Sequence, residues 1–237
     1  MTRMVNNSGH QKNENKNKNE DITEFITSNL KWKVLNGQYS IGERITEQSI
    51  AEELNVSRNS VRMAIMKLIN EGLLIKGSTG AVMVRDISIK EANEIIDMRK
   101  VLETYAVNQA IDHITTSQLS AMESILISME GAIKNRDFEL YSNLNTRFHN
   151  IIYNSTGNDM VPNILIDLKT KMLRYQFKIS FIPGRAEQSY KEHADIYMAL
   201  VKKDRKLAEQ AVINHLESLR NCITRNKEIL EIKEVRK

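Results

Sequence analysis

The alternation of apolar and polar positions divides the chain into a polar start, a short mixed segment and a long helical remainder. Residues 1–20 are almost wholly polar and rich in Asn and Lys, and such a segment buries too little surface to offset the entropy of ordering, so a disordered tail is expected. Its Lys12, Lys16 and Lys18 could at most brush an anionic partner, and a solvated arm is the simpler reading. From Ile22, apolar residues recur at helical spacing through Phe25, Ile26, Leu30 and Val34, and the run breaks at Asn36-Gly37. Thr46 is placed to cap a short second helix ending at Leu54, Asn55-Val56 make a tight turn, and Ser57 is placed to cap a third helix running to about Asn70. After Gly72, two short apolar runs flank Gly77-Ser78-Thr79-Gly80, which predicts a β-hairpin.

Ser88-Ile89-Lys90-Glu91 reads as a capping box that opens a long helix, and helical period continues to the C-terminus. Six helices are expected, near 89–113, 117–135, 138–155, 159–180, 185–202 and 205–232, with breaks such as Thr115-Thr116 and Pro183-Gly184. The fold class is mainly α: a winged helix-turn-helix followed by an all-helical bundle. The domains are a tail over 1–20, the winged unit over 21–85, a linker over 86–88 and the helical domain over 89–237.

A hydrophobic content of 41% over 237 residues is enough for a real core. The sequence shows no apolar run of the roughly 18 residues that a membrane span needs and no secretory signal at its start, so a cytoplasmic location is expected. The single Cys222 excludes an internal disulfide framework and reads as a buried structural thiol. A net charge of +4 with a pI near 9.0 suggests an anionic partner. Yet residues 21–88 hold eight basic and eight acidic side chains, so the case for DNA rests on where the cations lie.

They lie on the third helix, where Arg58, Arg62 and Lys67 stand with no acidic residue between Ser57 and Asn70. Arg58, Asn59 and Arg62 occupy its first two turns, away from the apolar stripe of Val61, Ile65, Leu68 and Ile69. A recognition helix entering the major groove N-terminus first needs that arrangement. Arginine can fork to guanine and asparagine can pair with adenine, while Ser57 and the free N–H groups at the helix start suit a phosphate oxygen.

The segment GQYSIGERITEQSIAEELNVSRNSVRMAIMKLINEGLLIKGSTGAVMV resembles the N-terminal domain of the GntR superfamily of bacterial regulators. The resemblance covers about residues 22–85. It departs in Ser40-Ile41-Gly42, where a proline usually precedes the glycine, and in Met63, where Glu commonly follows the arginine. The resemblance implies that Arg58 and Arg62 contact DNA, that Gln48 is a further contact on the second helix, and that Gly80 lies in a wing tip approaching the minor groove.

In the helical domain, His149, His193 and His215 each interrupt an apolar stripe. Asn145 and His149 are i,i+4 neighbours on one inward face. His193 and His215 each lie 11 residues from Asp204, so an antiparallel pair of helices would set them level. Three imidazoles and an amide oxygen from three helices suit a divalent transition metal, zinc foremost with nickel or manganese as alternatives. Residues 89–225 resemble the FCD effector-binding domain of the FadR branch, in its six-helix, VanR-like form. That resemblance implies a metal held by Asp-x-x-x-His and two further histidines, here Asn145, His149, His193 and His215. Asn145 replaces the usual Asp, which removes an anion and weakens the expected affinity.

A cation left uncompensated favours a carboxylate effector. Arg99, on the inward stripe of the first long helix with Glu103 one turn on, is a clamp for that effector, half of a buried ion pair, or both at once. Glu103 is the one carboxylate this reading places near the cage. The expectation is a homodimeric, effector-responsive regulator, acting as a repressor on a roughly palindromic operator. A regulator for which the metal is itself the signal and a metal-dependent hydrolase are the alternatives, the second disfavoured by the lack of a free base.

Overall fold

The computed structural model describes residues 8–35, 38–40, 42–85 and 88–231, with side-chain surroundings described from Glu20 onward except at 174, 229 and 231. The expected break at 36–37, the linker residues 86–87 and the ends 1–7 and 232–237 lie outside the described residues, as do the side chains of Lys12, Lys16 and Lys18. Two compact units are found, one through residue 86 and one over 87–232.

In the first unit, α1 (Ser8–Leu35) packs against α3 (Arg58–Asn70), and α2 (Glu47–Leu54) packs on α3 as well. The helix begins well inside the segment expected to be a disordered tail. Among the residues of α1 whose surroundings are described, Thr23, Ile26, Thr27, Leu30 and Val34 are buried, so this half of the helix is stabilised by tertiary packing. Ile26, Leu30 and Val34 are fully buried, whereas Phe25 is exposed, because its position points about 100° away from the line that faces α3. Thr46 and Ser57 cap α2 and α3 by accepting from the N–H groups of Ser49 and Ser60, each at 3.1 Å. Val61, Ala64, Ile65 and Leu68 form the buried stripe of α3.

The hairpin is present as β2 (Leu74–Lys76) and β3 (Val82–Val84). A third strand, β1 (Arg44–Ile45), pairs antiparallel with β3, giving the sheet order β1-β3-β2. Two residues are too few for an alternation signal, so periodicity cannot reveal β1. Its role is to anchor the hairpin to the helices, with Ile45, Leu74 and Val84 buried beneath it.

The second unit is all-helical among its described residues: α4 (Ile89–His113), α5 (Thr116–Lys134), α6 (Phe138–Asn154), α7 (Met160–Lys171), α8 (Leu173–Ser180), α9 (Arg185–Lys202), α10 (Arg205–Arg225) and α11 (Lys227–Glu231). Two of the six expected rods are broken, at Met172 and at Asn226. Neither break contains Pro or Gly. At the first, Met172 is fully buried with its sulfur 3.9 Å from Arg99 Nη1, a tertiary contact that no local pattern announces. α4 packs on α10, α10 on α9, and α5 on α6 and α9, around a core that includes Phe148, Met122, Met129 and Leu165.

Thr115 completes a capping box with Gln118 at the start of α5. Thr115→Ala is expected to lower stability by about 1 kcal/mol, measurable as a small shift of the urea midpoint at unchanged slope.

Candidate DNA-reading face and candidate metal centre

The first turns of α3 present Arg58, Asn59 and Arg62 to solvent. Arg62 is held: its Nε and Nη2 each donate at 2.9 Å to the two carboxylate oxygens of Glu47 on α2. Hydrogen bonding from Arg62, with the nearby charges of Arg58 and Lys76, keeps the Glu47 carboxyl below its ordinary pKa. Cations of α3 and of strand β2 thus converge around one acidic side chain, a local patch that the balanced charge of the unit conceals. Ser57 caps α3 and its hydroxyl also lies 2.8 Å from that of Ser60. Gln48 is exposed and donates to Glu52 at 2.9 Å. Gly80 closes the hairpin turn at φ +80°, donating to the Gly77 carbonyl at 2.9 Å, a backbone conformation that glycine adopts without strain.

In the helical unit, α6, α9 and α10 bring His149, His193 and His215 into contact. All three are buried, with ring centroids 4.7 to 5.3 Å apart and ligand nitrogens within 4.8 Å of one another. The levelling of His193 and His215 about Asp204 is realised, with centroids 4.7 Å apart. Asp204 itself caps α10 through the Leu207 N–H. Burial leads in holding all three histidines below the ordinary imidazole pKa, so they are neutral.

Each Nδ1 faces an acceptor. His193 Nδ1 is 2.6 Å from the Ser189 carbonyl, His215 Nδ1 is 2.8 Å from Glu192 Oε2, and His149 Nδ1 is 3.6 Å from Glu103 Oε2. A carbonyl only accepts, so the proton of neutral His193 sits on Nδ1 and its Nε2 offers a lone pair. His149 Nε2 lies 3.0 Å from His193 Nε2. If His149 donated there, its bare Nδ1 would face the Glu103 carboxylate. A cation shared by the two Nε2 atoms would remove the conflict, with the Nδ1 protons left on their acceptors.

Asn145 Oδ1 gives a second sign of fit, being buried with no hydrogen-bond partner. Asn145 and His215 line the same small cavity of about 30 Å³, which holds an ion or a water rather than an organic molecule. The residues present therefore suit a divalent ion held by the three histidines and the Asn145 amide oxygen.

Two buried arginine–carboxylate pairs support the cage. Arg99 Nε donates to Glu103 Oε1 at 2.7 Å with both side chains buried. Burial opposes the Glu103 charge, but Arg99 and Lys169 outweigh it and hold its pKa below the ordinary value. Arg185 donates to both oxygens of Glu192 at 3.1 and 3.2 Å. Although burial opposes its charge, the His215 hydrogen bond and Arg185 pull the Glu192 pKa down to about 2.

Glu192 corrects the expectation that Glu103 is the one carboxylate near the cage. Its signal was in the sequence: Ser189, Glu192, His193 and Ile196 share one helical face. Lys169 was not anticipated at all. It is 5% exposed, with no hydrogen-bond partner for Nζ and the Tyr153 ring 5.9 Å away. Cys222 is half-buried and its thiol pKa is pushed up, first by burial.

Residues 22–84 match the model of the bacterial regulatory proteins of the gntR family, and residues 94–218 match the FCD domain. The chain belongs to the GntR family, in the branch that carries an FCD domain. It is 31% identical over 207 residues to the HTH-type transcriptional regulator YdhC of Bacillus subtilis, covering 84% of this chain and 91% of that protein. With the gluconate operon transcriptional repressor of Bacillus subtilis it shares 25% identity over 84% of this chain and 83% of that one. The solved structure of Escherichia coli McbR/YncC superposes with a TM-score of 0.68 at 23% identity, covering 88% and 96% of the two chains, and so shares the fold. This GntR-family chain is a DNA-binding transcription regulator, not an enzyme. No helix among its described residues is long and apolar enough to cross a membrane.

Proposed function

We propose that the FCD domain holds one divalent transition metal on Asn145, His149, His193 and His215, and that a carboxylate effector completing the coordination sphere changes operator affinity. The observation that supports this most strongly is the convergence of three neutral imidazoles whose Nδ1 atoms all face acceptors, which leaves the opposite nitrogens for an ion. When bound, the metal supplies a positive charge and open coordination positions. The chain's own residues orient the imidazoles through Glu103, Ser189 and Glu192 and keep the cage dry.

The cavity beside His215 and Asn145 accommodates an ion without an accompanying organic acid. Effector entry must therefore displace side chains, and that displacement is the source of the coupling. Arg58, Asn59 and Arg62 read base edges in this proposal. Ser57 and the α3 N-terminus take a phosphate, and Gln48 and Gly80 make flanking contacts. The protein acts as a homodimeric repressor on a palindromic operator. Two features support that part: Met98, Val101 and Tyr105 form an exposed apolar stripe on α4, and the gluconate relative is a repressor.

Elemental analysis of the full chain as purified is expected to find close to one divalent ion per chain, and His193→Ala to bring it near zero. Binding of the metal-loaded protein to its operator, titrated with small carboxylates, is expected to change about 5- to 150-fold for the effector class. Equal operator affinity with every acid tried would remove the carboxylate part. Metal alone producing the whole response would favour a metal-sensing regulator.

A further inference from the structure

We propose that Lys169 is an anion-binding residue of the effector site, so that the effector carries two anionic groups, one for the metal and one for Lys169. This rests on the carboxylate-effector reading above and narrows it to a ligand class.

Lys169 sits on α7, which packs against α4 and α6, the helices that carry Arg99 with Glu103 and His149 with Tyr153. Its Nζ is buried without a hydrogen-bond partner. A buried ammonium normally has several donors satisfied, and leaving it bare costs free energy that a native structure recovers through a partner. Among the described residues no protein group supplies one. The Tyr153 ring face, 5.9 Å away, contributes a weak cation–π attraction and no acceptor lone pair. Glu103 is near enough for its charge to act on Lys169, but it accepts no hydrogen bond from Nζ, and one of its oxygens takes Arg99 at 2.7 Å.

Charge points the same way. Around Tyr153, Arg99 and Lys169 stand against a single carboxylate, while Arg185 and Glu192 balance each other beside His215. A divalent ion in the cage widens that positive excess, since Asn145 brings no charge. A monocarboxylate on the metal would still leave Lys169 bare. An acid with a second carboxylate satisfies both, and charge-assisted hydrogen bonds to an ammonium are strong in a dry site. Burial and then the Arg99 charge lower the Lys169 pKa to about 7, against the opposing pull of Glu103.

The full chain, loaded with zinc, is titrated calorimetrically with succinate and glutarate and, in parallel, with acetate and propionate. Wild type is expected to bind a dicarboxylate at least ten times more tightly than the monocarboxylates. Lys169→Met is expected to remove that preference while leaving monocarboxylate affinity within about twofold. It is also expected to raise the melting temperature of the metal-free protein, because a bare buried charge is replaced by an apolar chain of similar length. Lys169→Gln provides the same comparison should the methionine variant fold poorly. Wild type with no dicarboxylate preference, or a preference that survives in Lys169→Met, overturns the proposal while leaving the carboxylate reading standing. Wild type binding none of the four acids overturns both.

Discussion

Alanine at both Arg58 and Arg62 is expected to cost roughly 30- to 10⁴-fold in affinity for the operator, from about 1–3 kcal/mol per bidentate base contact. Both side chains are exposed at the start of α3, so the melting temperature should barely move. The Arg62–Glu47 fork is likewise exposed, and its loss should cost the fold little. The diagnostic quantity is selectivity. If the arginines read base edges, the variant loses discrimination between operator and scrambled duplex. If they touch only phosphates, it weakens equally on both, and the salt dependence of binding falls by about one unit per lost contact. Fluorescence anisotropy with the two duplexes at several salt concentrations separates these outcomes, and an unchanged affinity and selectivity would remove α3 as the reading element. Glu47 sets a condition on the result. Arg62 must exchange a two-point carboxylate contact for a base, so the net effect of Arg62 alone should be smaller than that of Arg58 if both make equivalent contacts.

Glu103→Gln is expected to destabilise the helical domain by about 3–5 kcal/mol, because it leaves a fully buried Arg99 without its counter-charge. The amide keeps one acceptor oxygen but no charge, and Lys169 loses the same compensation. Urea unfolding at neutral pH measures the loss. The double variant Arg99→Met with Glu103→Leu should be markedly more stable than Glu103→Gln alone, since it removes both charges instead of stranding one. A single variant within about 1 kcal/mol of wild type would show that Arg99 is compensated by something other than Glu103. The sign with pH follows from the lowered pKa of Glu103 in the fold. Its stabilisation is present above the ordinary carboxylate pKa and is lost as pH falls through the lower, folded-state value.

The buried ion pair expected at Arg99 is present, and it is one of two similar arrangements in the helical domain. Arg99–Glu103–His149 and Arg185–Glu192–His215 are two chains in which an arginine holds a carboxylate that faces an imidazole. The first pair could be read from i,i+4 spacing on α4. Glu192 was equally available, one residue before His193, but apolar stripes draw attention to what interrupts them and not to the neighbour that orients it. Lys169 gave no sequence signal because a lysine within the apolar-rich stretch Ile164-Leu165-Ile166-Asp167-Leu168-Lys169 normally snorkels to solvent. Its burial follows from how α7 is laid across α4 and α6.

What the amino-acid order determined by itself was everything carried by contacts within a few residues. The caps at Thr46, Ser57 and Ser88, the stripe of α3 and the glycine turn of the hairpin all depend on helix and turn geometry that short segments impose. Tertiary structure alone decided the break at Met172, the pairing of β1 with β3, the fork from Arg62 back to Glu47, and the meeting of Lys169 with the Arg99 cluster. Those contacts join residues far apart in the sequence, 15 positions for Arg62 and Glu47 and 73 for Arg99 and Met172, and no local window contains them.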